Sequence, residues 1–102
     1  MDKKSVIKLA KKYLSFLKEK NYKIQKAYLF GSYAKGNFNP DSDIDLAIVM
    51  KNLKNSFWMQ GDLLFLGSAF DSRIEPHPYD EKDFNDDNPL VDQILKTGIQ
   101  IL

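Results

Sequence analysis

The chain has 102 residues, of which 43% are hydrophobic, and a formal net charge of +1. This length and composition predict one folded domain, residues 1–102, with little room for a second lobe, and exclude an intrinsically disordered chain. The absence of cysteine excludes a disulfide framework, a thiolate zinc site and a cysteine nucleophile. Because no apolar run approaches the roughly 20 residues of a membrane span and no signal peptide is evident, we expect a cytoplasmic protein.

Charge is distributed unevenly along the chain. Residues 1–26 carry nine Lys against Asp2 and Glu19, a balance of +7, whereas residues 27–102 carry a balance of −6. Two interpretations fit, a basic arm for nucleic acid and the solvated face of a surface helix. Arg73 is the only arginine, and an arginine-poor surface argues against a nucleic-acid groove. We therefore favour the solvated helix face.

The first predicted elements are a helix and a strand. Apolar side chains recur at spacings of three and four over residues 3–20, with lysines on the opposite side, which predicts an amphipathic helix. Residues 24–30 predict a strand, which Gly31 and Ser32 end. Residues 32–35 predict a short helical turn, and a loop rich in turn-forming residues follows.

Residues 43–50 predict a strand with two different faces, because side chains alternate across a strand. Asp43, Asp45, Ala47 and Val49 share one face, and Ile44, Leu46, Ile48 and Met50 share the other. The aliphatic face should belong to the core. The other face begins with two carboxylates and continues with small residues, which is typical of a strand whose N-terminal end lines a cleft.

The second half of the chain predicts two further helices and a third strand. Residues 57–70 are apolar nearly all round, which predicts a helix that is either deeply buried or covers a partner. Residues 71–79 predict a strand, whose two prolines place it at a sheet edge because proline donates no ladder hydrogen bond. A helix at residues 89–96 and a short strand at residues 98–102 complete an α/β fold, a small mixed β-sheet with flanking helices.

Asp43 and Asp45 are candidate metal ligands. Two carboxylates at i and i+2 on one strand face repel each other, and a divalent cation removes the conflict. Magnesium prefers oxygen ligands, and two ions about 3.5–4 Å apart can hold the attacking and leaving oxygens of a phosphoryl displacement. Solvated turn residues are one alternative. A calcium loop beginning at Asp41 is another, but it needs Gly and Glu where this chain has Leu46 and Asn52.

Gly31 and Ser32 are candidate phosphate-binding residues. Glycine lets the backbone approach a phosphate closely, the first amides of a helix point at it, and the serine adds a hydroxyl. Alone the pair is only a turn, which matches neither the Walker nor the Rossmann pattern. Its significance comes from Asp43-x-Asp45, which begins after ten intervening residues.

The combined pattern Gly31-Ser32-x10-Asp43-x-Asp45 resembles the signature of the DNA polymerase β-type nucleotidyltransferase superfamily. The longer string GSYAKGNFNPDSDIDLAI is similar to its minimal nucleotidyltransferase branch, the partners of HEPN proteins. The resemblance implies a polymerase β-like fold and Mg²⁺-dependent transfer of AMP from ATP to a hydroxyl. It further implies a tyrosine of a HEPN ribonuclease toxin as the acceptor, an antitoxin role for this chain, and a homo- or hetero-oligomer.

The family also uses a third carboxylate on a neighbouring strand. The candidates are Asp62, Asp71, Glu75, Asp80 and later acids. Only Glu75 lies inside a predicted strand, since Asp71 is the first residue of that strand, and the segment SRIEPHPY resembles the strand that delivers the third acid. We therefore assign Glu75 as a metal ligand that helps to deprotonate the acceptor, the alternative being a surface acid paired with a lysine.

Three further residues lie close to these candidates in the sequence. Arg73 and His77 should share the face of Glu75, since they are two residues away on either side. Arg73 is a candidate phosphate contact or a support for Glu75, with a surface ion pair as the alternative. His77 is either a rim residue or, as we favour, a structural histidine. Lys35 is a candidate triphosphate contact because it follows the glycine turn closely.

Two other functions remain open at this point. One is a nucleotidyltransferase that acts on a small molecule such as an aminoglycoside, although such enzymes usually carry a second domain for the acceptor. The other is a non-catalytic module that neutralises its partner by contact alone, against which the three-acid set argues.

Overall fold

Helices and strands alternate along the chain in the computed structural model, which describes all residues from 1 to 102. The elements are α1 (Lys3–Glu19), β1 (Ile24–Phe30), α2 (Ser32–Lys35), β2 (Ile44–Met50), α3 (Ser56–Gly67), β3 (Ile74–Asp80), α4 (Pro89–Thr97) and β4 (Ile99–Gln100). This order of elements and their single mixed sheet confirm the predicted α/β fold class.

The four strands form one sheet in the order β3-β2-β1-β4. β1 is antiparallel to β2 and to β4, whereas β2 and β3 are parallel and are connected through α3. β3 lies at the edge of the sheet, as its prolines predict. The parallel register pairs Asp45 with Glu75 and Ala47 with His77. The sheet therefore brings together two acidic residues that lie thirty positions apart in the sequence.

Side-chain caps define where the helices begin. The side chain of Asp2 accepts a hydrogen bond from the Ser5 amide, and that of Asn55 accepts one from the Trp58 amide. The side chain of Asn88 accepts from two amides at the start of α4, whose first residue is Pro89. Each cap gives a partner to amides that have no carbonyl one turn earlier. The starts of these helices are consequently within one residue of the predictions.

Two predicted boundaries between α3 and β3 are wrong by three residues. α3 ends at Gly67 rather than at residue 70, because the amides of Phe70 and Asp71 turn back to the Gly67 carbonyl. β3 begins at Ile74 rather than at residue 71, because the Asp71 carboxylate accepts the Arg73 amide at 2.9 Å and holds a turn there.

The sheet is packed on both faces. On one face, Ile44, Leu46, Ile48 and Met50 belong to a 16-residue core with buried residues of α1 and with Leu63 of α3. On the other face a smaller cluster joins the second strand to α4 and the loop before it: Tyr28, Ala47, Val49, Phe84, Val91 and Ile94. The predicted aliphatic face of β2 is confirmed. Its opposite face is also covered from Ala47 onward, so the carboxylate end is the part that faces outward.

α3 is not buried on all sides. Only Leu63 and Gly67 of this helix are buried, whereas Phe57, Trp58 and Phe65 are 74%, 69% and 77% exposed. Of the two sequence interpretations, deep burial is wrong, and a covering partner stays a prediction. None of the helices combines the length and the apolar character that a membrane span requires.

Candidate active site

Three acidic residues converge at the N-terminal end of β2. Asp43 directly precedes the strand, Asp45 is its second residue, and Glu75 faces Asp45 from the neighbouring strand. Of the other acids considered from the sequence, Asp71 is paired with Arg73. Asp80 lies at the far end of β3, where its carboxylate accepts two backbone amides. The parallel register therefore places Glu75, rather than these acids, beside the aspartate pair.

His77 joins this group. Its Nε2 lies 3.4 Å from Oδ1 of Asp45, and one ligand atom from each of Asp45, Glu75 and His77 falls within 4.8 Å of the others. The sequence interpretation favoured a purely structural histidine. The signal that places it in the site was its position two residues after Glu75, on the same face of β3.

The carboxyl groups of Asp43, Asp45 and Glu75 repel one another when they are charged. The pKa of Glu75 is raised above its ordinary value, first by a hydrogen bond shared with the Asp43 carboxyl group, then by burial and by the negative charges of Asp43 and Asp45. The charge of His77 opposes this rise. A cation placed among the carboxylates would remove the repulsion, so the residues fit a divalent metal ion.

Gly31 brings the predicted phosphate-binding turn against Asp45. Its backbone has φ 77° and ψ −151°, a conformation that is essentially restricted to glycine. A Cβ at this position would overlap Oδ2 of Asp45 and would lie 3.2 Å from its Cγ. α2 begins immediately afterwards at Ser32 and has no side-chain cap. Its first amides have no side-chain cap and lie beside the acid cluster, where they could bind an anionic ligand.

Lys35 lies at the end of α2, beside a cavity of about 190 Å³. The cavity opens between the glycine turn and the fourth helix, and it is lined by Phe30, Gly31, Lys35, Leu90, Gln93, Ile94 and Thr97. Lys35 therefore shares a concave surface with Gly31, as the predicted triphosphate contact requires, and that contact stays a prediction.

The Arg73 guanidinium connects three segments around the site. Its Nε and Nη2 donate to the two oxygens of Asp71 at 2.9 and 2.7 Å. Its Nη1 donates to the Pro40 carbonyl at 2.9 Å and to the Tyr33 hydroxyl at 3.3 Å. The Arg73 carbonyl also accepts the Ile44 amide at 2.8 Å. Arg73 thus holds the loop that leads into Asp43, whereas its predicted contact with phosphate stays a prediction.

The paired hydrogen bonds between the Arg73 guanidinium and the Asp71 carboxylate shift the pKa of both groups. Hydrogen bonds from Arg73 hold the pKa of the Asp71 carboxyl group below its usual range, and the same bonds raise the pKa of the guanidinium. Both groups therefore stay charged throughout the physiological pH range, and the link between this loop and β3 persists.

A glycine turn after one strand, two acids at the start of the next and a third acid on the edge strand form the arrangement that the sequence resemblance predicts for a nucleotidyltransferase site. The sequence profile "Polymerase beta, Nucleotidyltransferase" matches residues 11–102. The chain therefore belongs to the polymerase β nucleotidyltransferase family and is a nucleotidyltransferase.

Solved structures show the same fold. A crystal structure of a toxin–antitoxin with AMP-PNP has 28% identity and a TM-score of 0.64, covering all of this chain and 73% of that chain. A mutant of the toxin–antitoxin MntA-HpeT has 25% identity and a TM-score of 0.59 over the same shares. A protein from Sulfolobus solfataricus assigned as a nucleotidyltransferase has 24% identity and a TM-score of 0.65, covering 96% of this chain and 80% of that one.

These structures confirm the resemblance to the minimal nucleotidyltransferase branch. A comparison with curated proteins returns no match.

Proposed function

We propose that this chain is a Mg²⁺-dependent adenylyltransferase that transfers AMP from ATP to a tyrosine hydroxyl of a HEPN ribonuclease toxin, and so acts as an antitoxin. The observation that carries the proposal is the alignment of Glu75 with Asp45, beside Asp43 and against the Gly31 turn. Phosphate-binding and metal-binding groups then meet within one small site.

Each candidate residue takes a defined role. Asp43, Asp45 and Glu75 would hold the metal ions, which supply charge neutralisation for the triphosphate and the transition state. Gly31 and Ser32 would bind the β- and γ-phosphates through backbone amides and the serine hydroxyl. Lys35, beside the turn, would add a positive charge to the same phosphates. Catalysis would rest mainly on positioning and electrostatics.

The chemical step is a displacement at the α-phosphorus of ATP. The acceptor oxygen forms a new bond to this phosphorus while the bond to the bridging oxygen of the β-phosphate breaks, and pyrophosphate leaves. The proton of the acceptor hydroxyl passes to the Glu75 carboxylate. Glu75 fits this role because it faces the aspartate pair from the edge strand of the sheet.

The proposed partner follows from the toxin–antitoxin structures to which the chain is similar. The exposed aromatic side chains of α3 offer apolar surface that fits such a partner. This helix covers the face of the sheet that holds Leu46, whereas Asp45 lies on the face of Ala47. The acceptor must therefore reach the acids from the face opposite α3. A cytoplasmic location and an oligomeric assembly are part of the same proposal.

Labelled ATP tests the proposal directly. The wild-type chain, incubated with α-labelled ATP, Mg²⁺ and a HEPN partner, should label the partner. Asp43→Asn combined with Asp45→Asn should abolish labelling and leave the circular dichroism spectrum unchanged. Continued labelling by this variant would show that the acids are not the site.

A parallel calorimetric titration separates the enzyme from a non-catalytic module. The wild-type chain should bind ATP with Mg²⁺, and the double variant should not. If the wild type binds no nucleotide, the chain neutralises its partner by contact alone.

A further inference from the structure

We propose that His77 is a metal ligand, and that Asp45, Glu75 and His77 form a site that prefers a first-row transition dication such as Mn²⁺ to Mg²⁺. This inference rests on the proposed metal-dependent function and deepens it. It assigns a ligand outside the three-acid pattern, and the nitrogen of this ligand strengthens the preference for a transition ion over Mg²⁺.

Strand geometry directs the imidazole toward the acids. His77 follows Glu75 by two residues on β3, so both side chains project from the same face. Its partner across the parallel register is Ala47, whose small side chain leaves space above β2. The Phe30 ring packs edge-on against the imidazole at a centroid distance of 5.1 Å. The ring is therefore supported on one side and turns Nε2 toward Asp45.

The distance between His77 and Asp45 fits two ligands of one metal ion better than a direct hydrogen bond. Nε2 of His77 and Oδ1 of Asp45 are 3.4 Å apart, beyond the usual range of about 2.7–3.2 Å for a hydrogen bond. Neighbouring ligand atoms around an octahedral ion with bonds of about 2.1 Å lie roughly 3 Å apart. The 3.4 Å separation is close to this value, and one ligand atom from each of Asp45, Glu75 and His77 lies within 4.8 Å of the others.

The donor set determines the metal preference. Mg²⁺ takes oxygen ligands and keeps its waters, so a set of carboxylates suits it. An imidazole nitrogen suits first-row transition ions, which bind it more strongly in the order Mn²⁺, Fe²⁺, Co²⁺, Ni²⁺. One imidazole with two carboxylates is therefore a mixed donor set that retains affinity for Mg²⁺ but gains more for Mn²⁺. The accessibility of both side chains, 26% for His77 and 23% for Asp45, leaves an entry path.

Pulsed electron paramagnetic resonance of bound Mn²⁺ tests the ligand assignment. His77 is the only histidine in the chain, so tag-free protein offers no other imidazole. The wild type should show the nitrogen modulation of a directly bound imidazole. His77→Phe, which keeps a ring against Phe30 and removes the nitrogen, should lose it. Wild-type protein with bound Mn²⁺ but no nitrogen modulation would overturn the inference and leave the proposed function intact.

Calorimetric titrations with Mn²⁺ and with Mg²⁺ test the preference. His77→Phe and His77→Gln should each lower Mn²⁺ affinity by about tenfold or more, since losing even an outer-shell partner costs 10–100-fold, and should change Mg²⁺ affinity little. Asp92→Asn, which alters an acid on α4 outside the cluster, is the control and should leave both affinities unchanged.

An unchanged ratio of Mn²⁺ to Mg²⁺ affinity in both histidine variants would overturn the preference. A wild type that binds neither ion would overturn the inference and the proposed function together. Circular dichroism identifies a variant that fails to fold, and the wild-type resonance spectrum still tests the ligand in that case.

Discussion

The position of Asp45 depends on the absence of a side chain at Gly31. The turn that should hold phosphate passes so close to Asp45 that its carboxylate occupies the space of a Cβ. The positive φ of Gly31 adds a conformational restriction of its own. The predicted phosphate turn and the predicted metal ligand Asp45 are therefore in direct contact, and a side chain at position 31 would displace the carboxylate.

Gly31→Ala should destabilise the fold and abolish nucleotide transfer. The new methyl group overlaps Oδ2 of Asp45, and the backbone conformation alone costs about 1–3 kcal/mol for a residue with a Cβ. Urea denaturation measures the loss. Gly61→Ala is the matched control, because it lies in α3 with open space around its Cα and should stabilise the helix by up to about 1 kcal/mol. Equal unfolding midpoints for Gly31→Ala and the wild type would contradict the steric account.

Glu75 makes the metal-free protein sensitive to pH. Its folded-state pKa lies above the ordinary value of 4.5. An acid with a raised pKa contributes stability below its unfolded pKa and loses that contribution as pH rises through the folded pKa. The metal-free protein is therefore stabilised by protonated Glu75 near pH 4 and is destabilised by the charged form at neutral pH.

Glu75→Gln should raise the Tm of the metal-free protein by a few degrees at pH 7 and give no gain near pH 4. The same variant should lose transferase activity, because active-site residues are often selected for function at the expense of stability. Thermal unfolding in the presence of a chelator, monitored by circular dichroism, measures the shift. Glu81→Gln, at an exposed position just after β3, is the control. A Tm gain that is equal at both pH values would contradict the electrostatic origin.

At the scale of elements, Arg73 joins the start of β3 to the loop before β2. Its side chain binds Asp71, Pro40 and Tyr33, while its carbonyl accepts the Ile44 amide. These contacts set how the segment that carries Asp43 meets the strand that carries Glu75. The contacts of Arg73 therefore help to position Asp43 and Glu75, although neither of these acids takes part in them.

Arg73→Lys tests whether this residue positions the loop or binds phosphate. Lysine keeps the charge but cannot donate hydrogen bonds to the Asp71 carboxylate and the Pro40 carbonyl at the same time. A positioning role predicts a loss of about 1–3 kcal/mol in the free energy of unfolding and a lower kcat with little change in ATP affinity. A phosphate contact predicts the reverse, weaker ATP binding with unchanged stability.

The control for Arg73→Lys is Lys96→Gln. It breaks an exposed i,i+4 pair with Asp92 and should cost at most about 0.5 kcal/mol. Urea denaturation and ATP titration of the two variants separate the effect of the Arg73–Asp71 contact from that of an ordinary surface ion pair.

Across the whole molecule, the sheet separates two surfaces of different character. One side carries α1 with its lysines and α3 with its exposed aromatic rings. The other side carries α4 and, at the free end of β2, the acids and the glycine turn. Binding of nucleotide and contact through α3 would therefore involve opposite sides of the protein.

Nucleotide binding should stabilise the whole domain, because the turn, the loop before Asp43 and the edge strand meet at the site. At a concentration 100 times its Kd, ATP with Mg²⁺ should add about 2.7 kcal/mol to the free energy of unfolding. A thermal shift assay detects this gain. The double variant Asp43→Asn and Asp45→Asn should show none, and an equal shift in both proteins would place the nucleotide elsewhere.

The helices and strands themselves could be predicted from the sequence, because their signals are local. Alternation along β2 identified its core face, and the predicted helix starts were correct to within a residue, at positions that the side chains of Asn55 and Asn88 cap. Asp43, Asp45 and the glycine turn were also identifiable from their spacing along the chain, and Glu75 was assigned because its segment resembles the strand that carries the third acid. The boundary errors fell between α3 and β3, where turns formed by Gly67 and Asp71 shorten both elements.

By itself, then, the sequence determined the order of the elements and the faces of β2, and it supplied the three candidate acids, Glu75 through the family resemblance. Only the tertiary structure decided which residues meet across the sheet. The pairing of Asp45 with Glu75, the place of His77 beside them and the contacts of Arg73 all depend on the parallel register of β2 and β3. The strands that this register aligns are separated by α3 in the sequence, so the pairing of individual residues is a nonlocal property that no local pattern specifies.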